Sequence, residues 1–177
     1  MSYRPICDTW ILARSKTKYY GAYPAGFLHR ARHLLGVGPF DCVLHVCAGK
    51  VREYPFRGLG PNDVTLDIDP GTNPDLLCDV REGIPDGPWS AILIDRPYTE
   101  SDAEHYAMGA AVLPDLNPLL KSALLCLDEG RRVGVLDYLW PHPGNVGQEV
   151  AVVGVGTGRN ARARWFTVFE KCGTETK

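Results

Sequence analysis

Apolar residues recur along the chain in short continuous runs, several of them closed by an acid, and between these runs lie stripes of helical period. The sharpest run is Ala91-Ile92-Leu93-Ile94, with two β-branched residues, leading straight into Asp95-Arg96-Pro97-Tyr98. A run without polar alternation predicts a central strand buried on both faces, and the carboxyl end of such a strand is where open α/β sheets place their ligands. Cys42 to Val46 predicts an earlier strand that breaks into a small-residue turn at Ala48-Gly49. Val64-Thr65-Leu66 predicts the next, ending in Asp67-Ile68-Asp69-Pro70, and Leu76-Leu77-Cys78 a third, ending in Asp79. Arg132 to Asp137 reads as a fifth strand, and Glu149 to Val155 with Arg164 to Phe169 as a closing hairpin.

Helical spacing appears in three places. Phe27, Ala31, Leu34 and Leu35 share one face, with Pro24 placed as the first helical residue and Gly36 as the stop. Ser101-Asp102-Ala103-Glu104 has capping-box spacing and predicts a helix through about Leu113. Leu116, Leu119, Leu120, Ala123, Leu124 and Leu127 form the strongest stripe, with Gly130 as its end. Pro70, Pro74, Pro85 and Pro88 crowd the connections between the middle strands, so the crossover helices there are expected to be abbreviated or replaced by loops. The fold class that follows is α/β, a mostly parallel sheet ending in an antiparallel hairpin.

Length adds one constraint: 177 residues suit one ordinary domain, residues 1–36 forming a binding loop and helix and residues 37–177 the core. Hydrophobic content of 45% and charge of 23% are those of a soluble globular protein. No apolar run approaches the roughly 20 residues of a membrane span. The first ten residues lack the basic start and apolar centre of a signal peptide, so a cytoplasmic setting is expected. The six cysteines include no C-x-x-C pair, which points to neither a disulfide framework nor a metal site.

The net charge of −2 excludes a generally basic polyanion binder, but the charge is unevenly placed. Residues 1–33 hold Arg4, Arg14, Lys16, Lys18, Arg30 and Arg32 against Asp8 alone, and the hairpin tip carries Arg159 with Arg162 and Arg164 nearby. Those two regions are the candidate polyanion contacts. Tyr19, Tyr20 and Tyr23 sit between them and the first helix, either as substrate contacts or as an aromatic plug over the core. His142, between two prolines, reads as a loop residue.

Candidate chemistry comes from the acids. Asp67, Asp79 and Asp95 close three successive apolar runs, and carboxylates gathered at one sheet edge repel one another unless they meet donors. An acid about 20 residues beyond a glycine turn suits the ribose hydroxyls of a nucleoside cofactor. Read alone, Asp95 could equally cap the turn that Pro97 stiffens.

The order of these parts resembles class I S-adenosylmethionine-dependent methyltransferases, and nearly the whole chain resembles the small DNA adenine methyltransferase-like proteins of phages and bacteria. The specific parts are Tyr19-Tyr20-Gly21 with Tyr23-Pro24 and Gly26-Phe27, and Ile94 to Tyr98 with the trailing Asp102-Ala103-Glu104-His105-Tyr106. The resemblance rests also on Asp67 to Pro70 and Asp79, and on the turn from Val43 to Gly49, which is the generic part. The resemblance implies a Rossmann-like core, S-adenosylmethionine as cofactor, and methylation of an amine in nucleic acid, adenine in DNA first. It places Ala48 and Gly49 beside the methionine part, Asp67 on the ribose and Asp79 on the adenine amine. Asp95, Arg96, Pro97 and Tyr98 become the catalytic loop, in which the acid and the next carbonyl accept from the target amine and the aromatic stacks on the base. Arg96 stands where the family has its first proline, giving up a fixed φ and adding a charge. Tyr20, Tyr23 and Arg159 are the expected substrate contacts, with a protein partner or second copy as the further candidate source of target recognition. A silent binding protein, or a methyltransferase for RNA or for a small or protein amine, are the alternatives.

Overall fold

A computed structural model describes residues 4–15, 22–53, 58–106, 113–158 and 163–173. In chain order its elements are β1 (Ile6–Ile11), α1 (Phe27–Leu35), β2 (Val43–Val46), β3 (Val64–Asp67), β4 (Leu76–Leu77), β5 (Ala91–Ile94), α2 (Glu100–Tyr106), α3 (Leu116–Leu125), β6 (Arg132–Asp137), β7 (Gly147–Gly156) and β8 (Arg164–Lys171). The eight strands form one sheet in the order β1-β7-β8-β6-β5-β2-β3-β4. Only β8 runs against the rest, paired antiparallel to both β6 and β7.

From β2 the chain winds outward through β3 and β4, then returns to place β5 and β6 on the other side of β2. That is a doubly wound, Rossmann-like sheet, with its reversal of direction between β2 and β5. Short 3₁₀ turns at Val51–Glu53 and Pro70–Thr72 stand in for helices in two crossovers, and the residues between β4 and β5 contain no helix. The crossovers are therefore abbreviated, as the prolines require.

Two apolar layers sandwich the sheet. One joins α1 to β1, β7 and β8 around Trp10, Phe27 and Phe166, with Phe27 edge-on to Phe166 at 5.0 Å. The other joins α3 to β2, β5 and β6 through Leu120, Leu124, Ile92 and Ile94. Being covered on both faces explains why β5 reads as an unbroken apolar run and β2 as one interrupted only by His45, which is buried against Asp63.

Several element ends differ from the sequence reading. Pro24 does not begin α1; it lies in the preceding turn, its carbonyl accepting from Phe27 N–H at 3.0 Å, and Gly26 at φ 81° sets the start. Gly36, at φ 71°, ends the helix as expected. The cap of α2 is Thr99 and not Ser101: Thr99 Oγ1 accepts from Asp102 N–H at 3.1 Å and donates to Asp102 Oδ2 at 2.8 Å. Thr99→Ala is expected to cost about 1 kcal/mol in a urea titration, whereas Ser101→Ala leaves the midpoint in place. The helix is described to Tyr106, and its expected continuation to Leu113 falls largely outside the described residues. α3 stops at Cys126, ahead of Gly130, because Gly130 belongs to the turn that donates to Lys171 O at 3.1 Å.

β1 is absent from the sequence reading. It lies parallel to β7 at the sheet edge, so residues 1–36 contribute a strand to the core sheet as well as α1. Its alternation is hard to see because one face stays open: Cys7, Thr9 and Ile11 are exposed while Trp10 is buried.

At the end of the sheet away from the acid-closed edge, Arg32 grips Asp63 through two contacts of 2.9 and 2.8 Å, and His45 Nε2 lies 3.0 Å from the same carboxylate. Gly60 N–H and Val43 N–H also donate to Asp63. Arg32 is thus a buried tie between α1 and β3, not one of the N-terminal cations open to a polyanion. Arg30 lies over the Trp10 ring at 5.6 Å.

Candidate active site

Because β2, β3, β5 and β6 run parallel, their carboxyl ends share one edge. The chain leaves β2 through Cys47 and Gly49, both at positive φ (56° and 52°), a tight turn that brings backbone N–H groups to this edge. β3 holds the turn. Ala48 N–H donates to Leu66 O at 3.1 Å and Gly49 N–H to Asp67 Oδ2 at 2.8 Å, while Asp67 Oδ1 accepts from Asp69 N–H at 3.0 Å. Burial raises the Asp67 carboxyl above its usual range, and these backbone donors partly offset the rise. Lys50 turns to Glu53 at 3.5 Å.

Asp79 lies two residues beyond β4, half-buried, and its carboxylate is forked by Arg81 Nε at 3.0 and 2.9 Å. The Arg81 hydrogen bonds pull the Asp79 carboxyl below its usual range, so it stays charged. Beyond burial itself, the charges of Asp67, Asp95 and Asp79 push the Cys47 thiol far up, so all three acids act on the turn after β2.

Asp95 follows β5 directly, its N–H donating to Val46 O at 3.3 Å. Tyr98 folds back so that its hydroxyl donates to Asp95 Oδ1. Oδ2 accepts no hydrogen bond among the described residues. Burial raises the Asp95 carboxyl to about 6, against the opposing pull of Arg164 and the Tyr98 hydrogen bond. The Tyr98 ring packs against Tyr138 at 4.6 Å and 55°, and Arg164 lies over it at 5.9 Å.

Arg96 does not project into the site. It is 3% exposed, and its Nε lies 2.9 Å from Asp137 Oδ2, a carboxylate with no exposure at the end of β6. Its Nη1 donates to Pro97 O and to Pro114 O, both at 3.2 Å. The guanidinium therefore ties the loop after β5 to the end of β6 and to the segment entering α3. Where a proline would stiffen this loop through φ, a buried ion pair stiffens it through three anchors.

Of the expected substrate contacts, Tyr23 belongs to the core. It is 3% exposed and stacked on Phe27 at 5.2 Å and 16°, which is the aromatic-plug alternative. Tyr20 and Arg159 lie outside the described residues. The structure adds Asp137, Tyr138 and Arg164. Asp137 was open to discovery, since it too closes an apolar run; Arg164 carried no signal beyond its place near a basic hairpin tip.

No protein-family model matches the chain, and no curated protein matches it. Among solved structures it is similar to the mitomycin 7-O-methyltransferase MmcR at 14% identity and a TM-score of 0.45, over 81% of this chain and 53% of that one. It is similar to the antibiotic-resistance methyltransferase Kmr at 11% and 0.44, over 90% and 98%. CalS10, an amino pentose methyltransferase from Micromonospora echinaspora solved with S-adenosylmethionine bound, gives 13% and 0.39, over 84% and 75%. The chain spans about half the length of the first of these.

Proposed function

We propose that this protein is an S-adenosylmethionine-dependent methyltransferase acting on an amine of a nucleic-acid base, adenine in DNA first. The observation that carries the reading is the pair of acids flanking one turn at the switch point: Asp67 bonded to the Gly49 N–H on the β3 side, Asp95 on the β5 side. A nucleoside cofactor fits that edge in donor chemistry, since the Asp67 carboxyl is an acceptor suited to ribose hydroxyls and Gly49, at φ 52°, carries no side chain to bar close approach to the backbone. Ala48, Gly49, Asp67 and Asp79 would hold it, Asp79 once its fork with Arg81 opens.

The cofactor supplies an activated methyl group on a sulfonium. The protein supplies position. Asp95 Oδ2 and the Arg96 carbonyl are the acceptors for the target amine, directing its lone pair, and the Arg96–Asp137 tie keeps both in register. Because the sulfonium is already activated, orientation and electrostatic fit provide most of the rate. A target base in a duplex would have to leave the stack first. Tyr98 is committed to Asp95, Arg164 and Tyr138, so it serves the Asp95 carboxylate in place of the expected stack on the base. A small-molecule amine is the second reading, favoured by the burial of Arg32, which thins the basic surface that a polyanion needs.

Labelled S-adenosylmethionine offered with DNA, RNA, free nucleosides and an aminosugar decides among these. Label in DNA adenine supports the first reading; label in the aminosugar alone supports the second. Calorimetry tests the cofactor site separately: Asp67→Ala is expected to weaken S-adenosylmethionine binding about tenfold or more, through a lost charge-assisted hydrogen bond and a loosened Gly49 turn. Unchanged affinity would move the ribose to another acceptor, Asp69 being nearest in sequence.

A further inference from the structure

We propose that Arg164, on β8, is a positioning residue of the transfer site: acting through the Tyr98 hydroxyl, it orients the Asp95 carboxylate and holds it in the charged form that accepts from an amine. The inference rests on the methyltransferase reading for its purpose, and on geometry for its substance. Arg164 Nη1 donates to Tyr98 Oη at 3.0 Å, and Tyr98 Oη donates to Asp95 Oδ1. The guanidinium also lies over the Tyr98 ring at 5.9 Å, so it holds the phenol by face and by hydroxyl together. Arg164 makes this contact from the first residue of β8, an antiparallel strand whose register is set on both sides, opposite Val155 on β7 and leading into Trp165 opposite Asp137 on β6.

A carboxylate with both oxygens loose rotates between orientations. Fixing Oδ1 on a held phenol leaves Oδ2 as the acceptor in one direction, which is the condition for aiming an amine lone pair at a methyl group. The charged groups around Asp95 then decide its ionisation. Asp137, from β6, opposes it, but that charge is itself bound to Arg96. Cys47, from the turn after β2, stays a neutral thiol. Asp67 reaches the same turn from β3, bonded to the Gly49 N–H. Arg164 is the cation that favours the carboxylate, with the Tyr98 hydrogen bond beside it. Removing it leaves burial and Asp137 pushing the same way, opposed by the Tyr98 hydrogen bond alone.

The test compares wild type with Arg164→Met, Arg164→Lys and Tyr98→Phe. The rate of methyl transfer to the best substrate is measured from pH 5 to 8, alongside calorimetry with S-adenosylmethionine. In wild type the rate should fall below about pH 6. Arg164→Met should move that limb up by about one pH unit or more, with cofactor affinity within about twofold. Arg164→Lys should bring the limb most of the way back, and Tyr98→Phe should move it less than Arg164→Met because the cation remains. A limb that stays near 6 in Arg164→Met overturns the proposal, as does a uniform loss of rate with no change in pH profile. Carbon-13 NMR of aspartate-labelled protein reads the Asp95 titration directly and needs no turnover. If wild type transfers nothing, an Asp95 midpoint that rises in Arg164→Met still upholds the electrostatic role while the methyltransferase reading fails. An unmoved midpoint rejects it.

Discussion

Asp95→Asn is expected to abolish methyl transfer and, at the same time, to make the protein more stable at neutral pH. The rate loss should be about 10²–10³-fold or more, the scale of removing one well-placed electrostatic contact in a water-poor site. Cofactor affinity should hold, because Asp95 meets the target and not the cofactor. The stability gain follows from the sign of the shift. The folded carboxyl titrates at about 6, above the roughly 3.9 of an unfolded chain. Between those values the native state binds more protons than the unfolded one, so stability falls as pH rises through that window, and the cost persists above it. Two units correspond to about 3 kcal/mol, which the asparagine variant no longer loses while its Oδ1 still accepts from Tyr98. Urea titrations at pH 7 and pH 4 check this: the gain should be present at the first and gone at the second. A variant that is inactive and no more stable would mean that Asp95 is not under burial stress.

Arg96 carries the second large effect. Restoring the proline of the resembled family, Arg96→Pro, should cost about 3–5 kcal/mol, because Asp137 would be left as a buried charge without its partner. Arg96→Met should cost about the same. Combining Arg96→Met with Asp137→Leu should regain most of the loss, since a buried ion pair is often replaceable by apolar side chains although neither half of it is replaceable alone. The double-mutant cycle gives the coupling directly. Near-additive costs would show that the 2.9 Å contact contributes little. In the double variant the carbonyls of Pro97 and Pro114 also lose their donor, so the loop should be stable but looser, with a lower rate at unchanged cofactor affinity.

What the sequence disclosed and what it hid follow from range. β5 was legible because burial on both faces writes itself as a continuous apolar run, β2 and β3 keep that run but for His45 and Thr65, and the acids closing β3 and β5 stood out for ending it. The strand order is a long-range property, and no local pattern puts β8 between β6 and β7. Arg96 was visible as a departure from a motif, yet its role depended on an acid 41 positions away. An unpaired arginine and a buried, anchored one are written with the same letter. Tyr23 illustrates the reverse case, an aromatic in a segment rich in lysine and glycine that nonetheless packs on Phe27. β1 went unseen because it is an edge strand in which only Trp10 is buried, its two isoleucines lying exposed.

The position of β8 has a consequence for how the chain can assemble during synthesis. β8 joins two parts of the sheet: β6, β5, β2, β3 and β4 on one side, β7 and β1 on the other. β1 is made first, but its neighbour β7 docks only through β8, whose last residue is 171. Until that strand emerges from the ribosome, β1 and β7 have no route into the rest of the sheet, and β6 and β7 each keep an open edge beside apolar residues. The pairing of greatest sequence separation is that of β1 with β7, so adding β1 carries a high entropic cost and comes late. Arg164 and Trp165 arrive with β8. The residues that order Tyr98 and flank Asp137 therefore reach the site in the same step that makes the sheet continuous, and a nascent chain stopped short of β8 would hold its acids in place with nothing yet to aim them.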